Sequence, residues 1–508
     1  MTIIQTLIEK TYYILWGDWI HFSLPGGIQL QIPLLALLLF PTGIWFTLRT
    51  RFLQLRLLPD MLRAFTEKKQ DPANGRSLSS LQALIVSTAT RVGMGNLVGV
   101  VAAISAGGAG ALFWMWITAL LGAATAFIEA TLAQLHKQKD PLYGGYRGGP
   151  AYYIHDWISS LYASHAKSSG DFAPTPLQTD EALPKTAISA AVKANTAGPK
   201  LPLAKKSILA SLFALSGLIC WCGISQVISN SVASSFQNAF HIPPLYTTII
   251  LVVLAAIIVL RKNATVKVLD ILVPIMAAIY TLLTLILILL NVKELGSVLL
   301  RIFEEAFGLR QAVAGGFGTI LMNGVKRGLF SNEAGSGSAP CAAATAEATH
   351  PAKVGLMQAM GVFIDTLLCT CTAMIMLLTP SGLLEEFSGM DFLQEAMRFH
   401  LGEFGVIFIA LILWLFSFTT FIGILFYARS NIAYLFGDRW SAQTVYKIFA
   451  LVMLFVGGLA TYTLVWDLGD VGIGLMTLFN LIALFPLSGE ALASLKDYET
   501  SLKAAKKD

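Results

Sequence analysis

The stretch Ala89-Thr90-Arg91-Val92-Gly93-Met94-Gly95-Asn96-Leu97-Val98-Gly99-Val100 decides the fold. It lies inside an apolar segment long enough to cross a bilayer, yet it holds three glycines, a charge at Arg91 and an amide at Asn96. A helix made only to sit in lipid avoids all of these. Glycine costs about 1 kcal/mol against alanine inside a helix, and a charge at mid-membrane costs about 2.5–3.5 kcal/mol on insertion scales. Broken backbone at membrane depth is tolerated where it is buried in protein or lines a wet cavity. Two readings follow: a discontinuous helix at a binding site, or a small-residue face for close helix packing.

The rest of the chain sets the class. Of 508 residues, 55% are hydrophobic and 13% charged, and the mean hydropathy is +0.68. Soluble domains carry about 25% charged residues, so this is an all-α polytopic membrane protein. The net charge of +5 reflects basic loops; no Lys/Arg run interleaves with aromatics, so nucleic acid is not an expected partner. Cys220, Cys222, Cys341, Cys369 and Cys371 all fall in apolar stretches and read as buried hydrophobes. Trp16, Asp18 and His21 interrupt the N-terminus, which does not read as a signal peptide.

Eleven transmembrane helices are predicted. The first covers 32–48 after an outer segment, 1–31. Spans two to six lie within 81–290 and spans seven to eleven within 312–486, and a tail covers 487–508. A polar insert at 159–204 is too poor in large apolar residues to bury a core and is expected to be flexible. Before it, Tyr152, Tyr153 and Trp157 suggest a segment at the membrane interface. The loop at 49–76 carries seven Lys/Arg and the turn at 105–110 none. This places 49–76, the insert and the tail in the cytoplasm and the N-terminus outside.

The seventh span repeats the anomaly of the second. Asn323-Gly324-Val325-Lys326-Arg327-Gly328-Leu329-Phe330-Ser331-Asn332-Glu333-Ala334-Gly335-Ser336-Gly337-Ser338-Ala339-Pro340 is far too polar for lipid. Gly328 suits the end of one half-helix, and Ser331 and Asn332 suit the cap of the next. Each break opens a block of five spans, so the second block is inserted upside down, giving a 5+5 inverted repeat. Interrupted segments in corresponding places mark a transporter site. Half-helix N-termini suit an anion and half-helix carbonyls suit a cation. An amino acid with a co-bound cation satisfies both. Lys326, Arg327 and Glu333 are expected to pair within the second break, as intramembrane charges usually do. Glu129 and Asp365 read as gate partners or as packing groups.

Four motifs carry a resemblance. Ala89-Thr90-Arg91-Val92-Gly93-Met94-Gly95-Asn96, Phe113-Trp114-Met115-Trp116-Ile117-Thr118-Ala119-Leu120-Leu121-Gly122, Gly148-Gly149-Pro150-Ala151-Tyr152-Tyr153-Ile154 and Gly328-Leu329-Phe330-Ser331-Asn332-Glu333-Ala334-Gly335 resemble the alanine/glycine:cation symporter family in the same order. The match runs from about 35 to 490 without the insert. It implies a LeuT-like fold with one extra N-terminal helix, and sodium- or proton-coupled uptake of alanine or glycine across a bacterial inner membrane. It implies substrate contact by the backbone of Gly93, Met94 and Gly95. It implies sodium held by the carbonyls of Ala89 and Val92 with Thr419 and Thr420, whose alternative role is bonding back to their own helix.

Gln226 resembles the family's substrate-facing polar position, or else makes an interhelical hydrogen bond. Phe330 and Asn332 are substrate candidates from the second break. Arg91 reads as a charge standing in for a second sodium or as a gate-lining arginine, and Arg327 and Glu333 are further gating candidates. Ile424 and the pair Ala428-Arg429 depart from the family's commoner residues. No catalytic set and no cofactor beyond the coupling ion are expected. No His-Glu-x-x-His or Gly-x-Ser-x-Gly occurs, and Asp467-Leu468-Gly469-Asp470 lacks the first glycine of an intramembrane aspartyl-protease motif. A membrane enzyme or a channel are the readings from other classes.

Overall fold

The computed structural model describes residues 3–23, 29–64, 78–168, 206–261, 265–308, 316–384, 386–460 and 462–505. The described chain is nearly all helix, with three two-stranded sheets. Among the described residues, seven helices are long and apolar enough to cross a membrane, from Gly110–Leu135 to Val465–Ala504. The pair Leu81–Arg91 and Gly95–Gly107, bent by 43°, makes an eighth when taken as one span. The three remaining predicted spans are shorter or more polar. Leu34–Arg49 and Pro244–Val259 are apolar helices of 16 residues each, and Gly316–Asn332 is the polar segment noted above.

The first half-helix begins on a capping box. Ser79 Oγ accepts from the Gln82 N–H at 3.0 Å, and Gln82 Oε1 accepts from the Ser79 N–H at 3.1 Å. It runs as Ser80–Arg91, and the chain resumes as a π-helical turn over Gly95–Gly99, the kind of irregularity that collects at functional sites. Leu78 and Ser79 pair in parallel with Ala346 and Glu347, so the entrance of the first broken helix is tied to the exit of the second.

The second break starts later than the sequence suggests. The Gly316–Asn332 helix runs straight through Gly328, whose Cβ position faces Thr118 and Met115 of the Gly110–Leu135 helix. Glu333 then takes the left-handed conformation, φ 56°, which ends helices. A turn through Gly335 and Gly337, also at positive φ, leads to the short Pro340–Ala343 helix, preceded by Ala339. Ser331 and Asn332 therefore close the first half-helix rather than cap the next. The Pro150–Ser168 helix also departs from an interfacial segment at its start. Tyr152 and Tyr153 are buried, bonded to the Ser430 carbonyl and to Asn480 respectively. The insert at 159–204 lies outside the described residues beyond Ser168.

Candidate functional site

The two breaks meet in the core. At the first, Asn96 Oδ1 accepts from the Gly93 N–H at 2.9 Å, and Thr420 Oγ1 accepts from the Met94 N–H at 3.2 Å. The same hydroxyl lies 3.5 Å from the Ala89 carbonyl and 2.8 Å from that of Phe416. A Cβ at Gly93 would fall 2.0 Å from Thr420 Oγ1, so glycine is required there for the hydroxyl to reach the broken backbone. At the second break, Phe330 and Ser331 lie against Gly95. Asp365 joins the two, with Oδ1 accepting from Asn96 Nδ2 and from Ser331 Oγ, both at 2.7 Å.

Helix phase separates the sodium candidates. Ala89 and Thr420 come together; Thr419 does not join them. Its hydroxyl donates to its own helix, to Leu415 and Phe416 carbonyls, and faces Met276 of the Thr265–Leu290 helix. Successive helical residues point about 100° apart, and here the Thr420 hydroxyl meets the first break while that of Thr419 turns toward Met276. Among the substrate candidates, Gly93, Met94, Gly95 and Phe330 gather at the junction. Asn332 turns to its own loop, accepting from the Ala334 N–H at 2.9 Å. Gln226 is not brought to the junction. Its Nε2 is 3.2 Å from Met453 Sδ, and its backbone packs on Gly457 so closely that a Cβ there would sit 2.2 Å from Gln226 Cα. One turn back on that helix, Gly223 meets the backbone of Gly469 instead.

The charges sort differently from their spacing in the chain. Arg91 is fully buried, with Nη1 on the carbonyl and Oε1 of Gln358 at 2.9 and 3.2 Å. It does not snorkel. Glu333 accepts from the Tyr427 hydroxyl at 3.2 Å, not from Lys326 or Arg327. Both of those go to Asp470 of the Tyr462–Ala505 helix. Arg327 binds it bidentately at 3.0 and 3.1 Å, and Lys326 lies at 3.3 Å. The Arg327 guanidinium sits 3.9 Å from the Trp466 ring centroid, and Trp466 packs on Phe330 at 5.0 Å. The N-terminal helix Ile3–Trp16 covers this group, with Trp16 Nε1 donating to the Asp470 carbonyl and Tyr12 on Lys326. Asp470, 143 residues from Arg327, was not recognisable as its partner in the sequence.

Glu129 has a structural role. Its two oxygens accept from the N–H groups of Gly335 and Gly337 at 3.0 Å each, and Asn480 donates to it as well. Arg429 lies at the end that faces the 136–149 loop, with its guanidinium 3.5 Å from the Tyr143 centroid and 3.7 Å from Asp140. That residue's departure from the family pattern therefore falls away from the junction. At the same end His136 bridges Asp156 and Glu490 at 3.0 and 2.9 Å. Burial alone would push its imidazolium down; the two carboxylates outweigh that and lift it to about 9.

Comparison with known proteins identifies the family. The model of the sodium:alanine symporter family matches residues 23–169 and 194–508. A probable sodium/glutamine symporter of Bacillus subtilis, GlnT, is 39% identical over 93% of this chain and 89% of its own. The amino-acid carrier protein AlsT of the same organism is 37% identical over 92% and 89%. The sodium/alanine symporter AgcS of Methanococcus maripaludis is 32% identical over 92% and 94%. With a bundle of membrane-spanning helices around two breaks and a family match over most of its length, the chain is a multi-pass membrane protein that belongs to the sodium:alanine symporter family.

Proposed function

We propose that this protein is a secondary active transporter that carries a small neutral amino acid, alanine or glycine, into the cell with sodium by alternating access. One observation carries the reading. The Thr420 hydroxyl bridges the Ala89 carbonyl and the Met94 N–H of one broken helix, while Phe330 and Ser331 of the other lie against Gly95. The carbonyls of Ala89 and Val92 with Thr420 supply the hard oxygens an alkali cation needs. The turn from Gly93 to Gly95 suits the substrate's main chain. The names of the relatives support sodium and divide between alanine and glutamine as cargo.

The proposed architecture is LeuT-like. One extra helix at 32–48 precedes inverted repeats at 81–290 and 312–486, the segment 1–31 is outside, and the tail 487–508 is cytoplasmic in a bacterial inner membrane. The eleven spans comprise the seven long apolar helices, the bent pair, the two 16-residue helices and the broken Gly316–Asn332 segment. The Arg91 charge takes the place of a second sodium, which its full burial supports. Sodium stoichiometry in Arg91→Ala tests this, and an unchanged value contradicts it.

One sodium entering down 100 mV gains about 2.3 kcal/mol, enough for roughly 50-fold accumulation. The test is uptake of labelled alanine into proteoliposomes. Concentrative, saturable uptake on an inward sodium gradient is expected. Non-saturable flux would favour a channel, and no flux would refute transport. A proton as coupling ion is the second reading, favoured by the buried Asp365 between Asn96 and Ser331. Uptake driven by a pH gradient without sodium would establish it.

A further inference from the structure

The Ser80–Arg91 half-helix leans on the Glu403–Phe436 helix along one stripe. Thr420, Gly423 and Tyr427 follow at helical spacings of three and four, which puts them on one face. Thr420 meets the Ala89 carbonyl and the Met94 N–H. A Cβ at Gly423 would lie 2.5 Å from Thr90 Cγ2, so the half-helix touches its neighbour there. One turn on, the Tyr427 hydroxyl is 2.6 Å from Thr90 Oγ1 and donates toward the Ser87 carbonyl at 3.4 Å. The half-helix is thus bonded to this neighbour through two hydroxyls, those of Thr420 and Tyr427.

Tyr427 differs from Thr420 in what else it holds. Its hydroxyl also donates to Glu333 Oε2 at 3.2 Å, on the residue whose left-handed backbone makes the second break. One fully buried phenol therefore ties both broken helices to the helix that carries Thr420. Trp221 packs beside its ring at 5.9 Å. A phenol has one proton to give, and here three oxygens lie within its reach. If the half-helix moves off, the hydroxyl still has Glu333, so no buried donor is left unpaired. Tyr427 lies seven residues past Thr420, about 10 Å along the helix, toward the end where Arg429 faces the 136–149 loop. In the proposed orientation that end is cytoplasmic.

We propose that Tyr427 is the inner latch of the transport cycle, a positioning residue whose bond to Thr90 holds the Ser80–Arg91 half-helix shut on the cytoplasmic side of the site. This rests on the reading of the two breaks as a sodium-coupled amino-acid site. An ion between the Ala89 carbonyl and Thr420 draws the half-helix onto the same helix that Tyr427 holds it to. Ion and latch therefore support one another, and opening to the cytoplasm breaks both. Without the Tyr427 hydroxyl the ion alone keeps the inner side closed, and sodium escapes inward before the amino acid has bound.

The test is sodium influx into proteoliposomes without amino acid, beside alanine uptake, in the parent, Tyr427→Phe, Thr90→Val and the double variant. Each single variant is expected to raise sodium influx about fivefold, the size of one net hydrogen bond. Apparent alanine KM should rise by a similar factor, because less of the protein is in the closed state that binds from outside. The double variant should leak no more than either single, since both remove the same bond. A merely structural role would lower unfolding temperature and uptake without raising sodium flux. Should Tyr427→Phe not fold, Thr90→Val carries the test. Sodium influx unchanged in a folded single variant, or two effects that multiply in the double variant, would overturn the latch. If the parent accumulates no alanine on a sodium gradient, the reading of the site falls and the latch with it. Accumulation by the parent with unmoved sodium influx in the variants sinks the latch alone.

Discussion

The two broken helices look alike in sequence and are held in opposite ways. The first, at Ala89–Val100, is turned by glycines and secured by neutral groups, the Asn96 amide and the Thr420 hydroxyl. Against it lie Phe330 and Ser331 of the second. The second, at Glu333–Ala339, is secured by charge. The Glu129 carboxylate takes two loop N–H groups, and Lys326 and Arg327 just before the break are pinned by Asp470. A buried backbone group left unpaired costs about 1–3 kcal/mol, so both breaks must be satisfied. The weaker neutral bonds, however, exchange with a ligand far more readily than a carboxylate clamp does. The contrast makes the first break the adaptable side of the site and the second its fixed wall.

Removing the clamp should do the most damage. Asp470→Ala leaves two buried cations without their carboxylate, and breaking such a group costs about 3–5 kcal/mol. A large fall in thermal unfolding temperature and in yield of folded protein is expected. Glu129→Leu strands the N–H groups of Gly335 and Gly337, at about 1–3 kcal/mol each, and should lower the unfolding temperature somewhat less; Glu129→Gln, keeping one acceptor, should fall between it and the unaltered protein. If either Asp470→Ala or Glu129→Leu is as stable as the parent, the second break is not held by charge.

At the first break the expected signature is functional. Thr420→Val should weaken apparent sodium affinity about 10-fold or more, the value of one hydrogen-bonding group of about 1.4 kcal/mol, with little change in unfolding temperature. Thr420→Ser should restore it. Gln226→Leu, which touches the Trp440–Gly457 helix rather than the junction, should leave alanine KM within about twofold; a larger rise would return Gln226 to the site.

A further effect lies at the far end, where His136 joins the Gly110–Leu135 helix end to Asp156 and Glu490. Its folded value of about 9 lies above the usual value of about 6.5. The protonated form therefore stabilises the fold. That contribution is complete below about pH 6.5 and is lost as pH rises through about 9. His136→Gln should flatten the corresponding slope in unfolding temperature.

What the sequence made legible was local. Gly93, Gly95 and Asn96 reveal a break because they sit within a few residues of one another in an otherwise apolar run. The polar run from Asn323 to Pro340 does the same, although its exact turn, set by a left-handed Glu333, does not show in composition. What stayed hidden depended on helix phase and on distant partners. Thr419 and Thr420 are adjacent in sequence but face different helices. Gln226 and Gly223, one turn apart, face the Trp440–Gly457 helix and Gly469 respectively. Asp470 was visible only as the last residue of an incomplete protease motif, because the cations it holds lie far along the chain, Arg327 being 143 residues away.

The central claim is that the first break, through Thr420 and not Thr419, holds the ion that drives amino-acid binding. It is tested most directly by measuring alanine binding to the purified protein across a sodium titration, in the parent, Thr420→Val and Thr419→Val. The account predicts that sodium tightens alanine binding in the parent and in Thr419→Val, and that this dependence disappears in Thr420→Val. Loss of sodium dependence in Thr419→Val with its retention in Thr420→Val would contradict it.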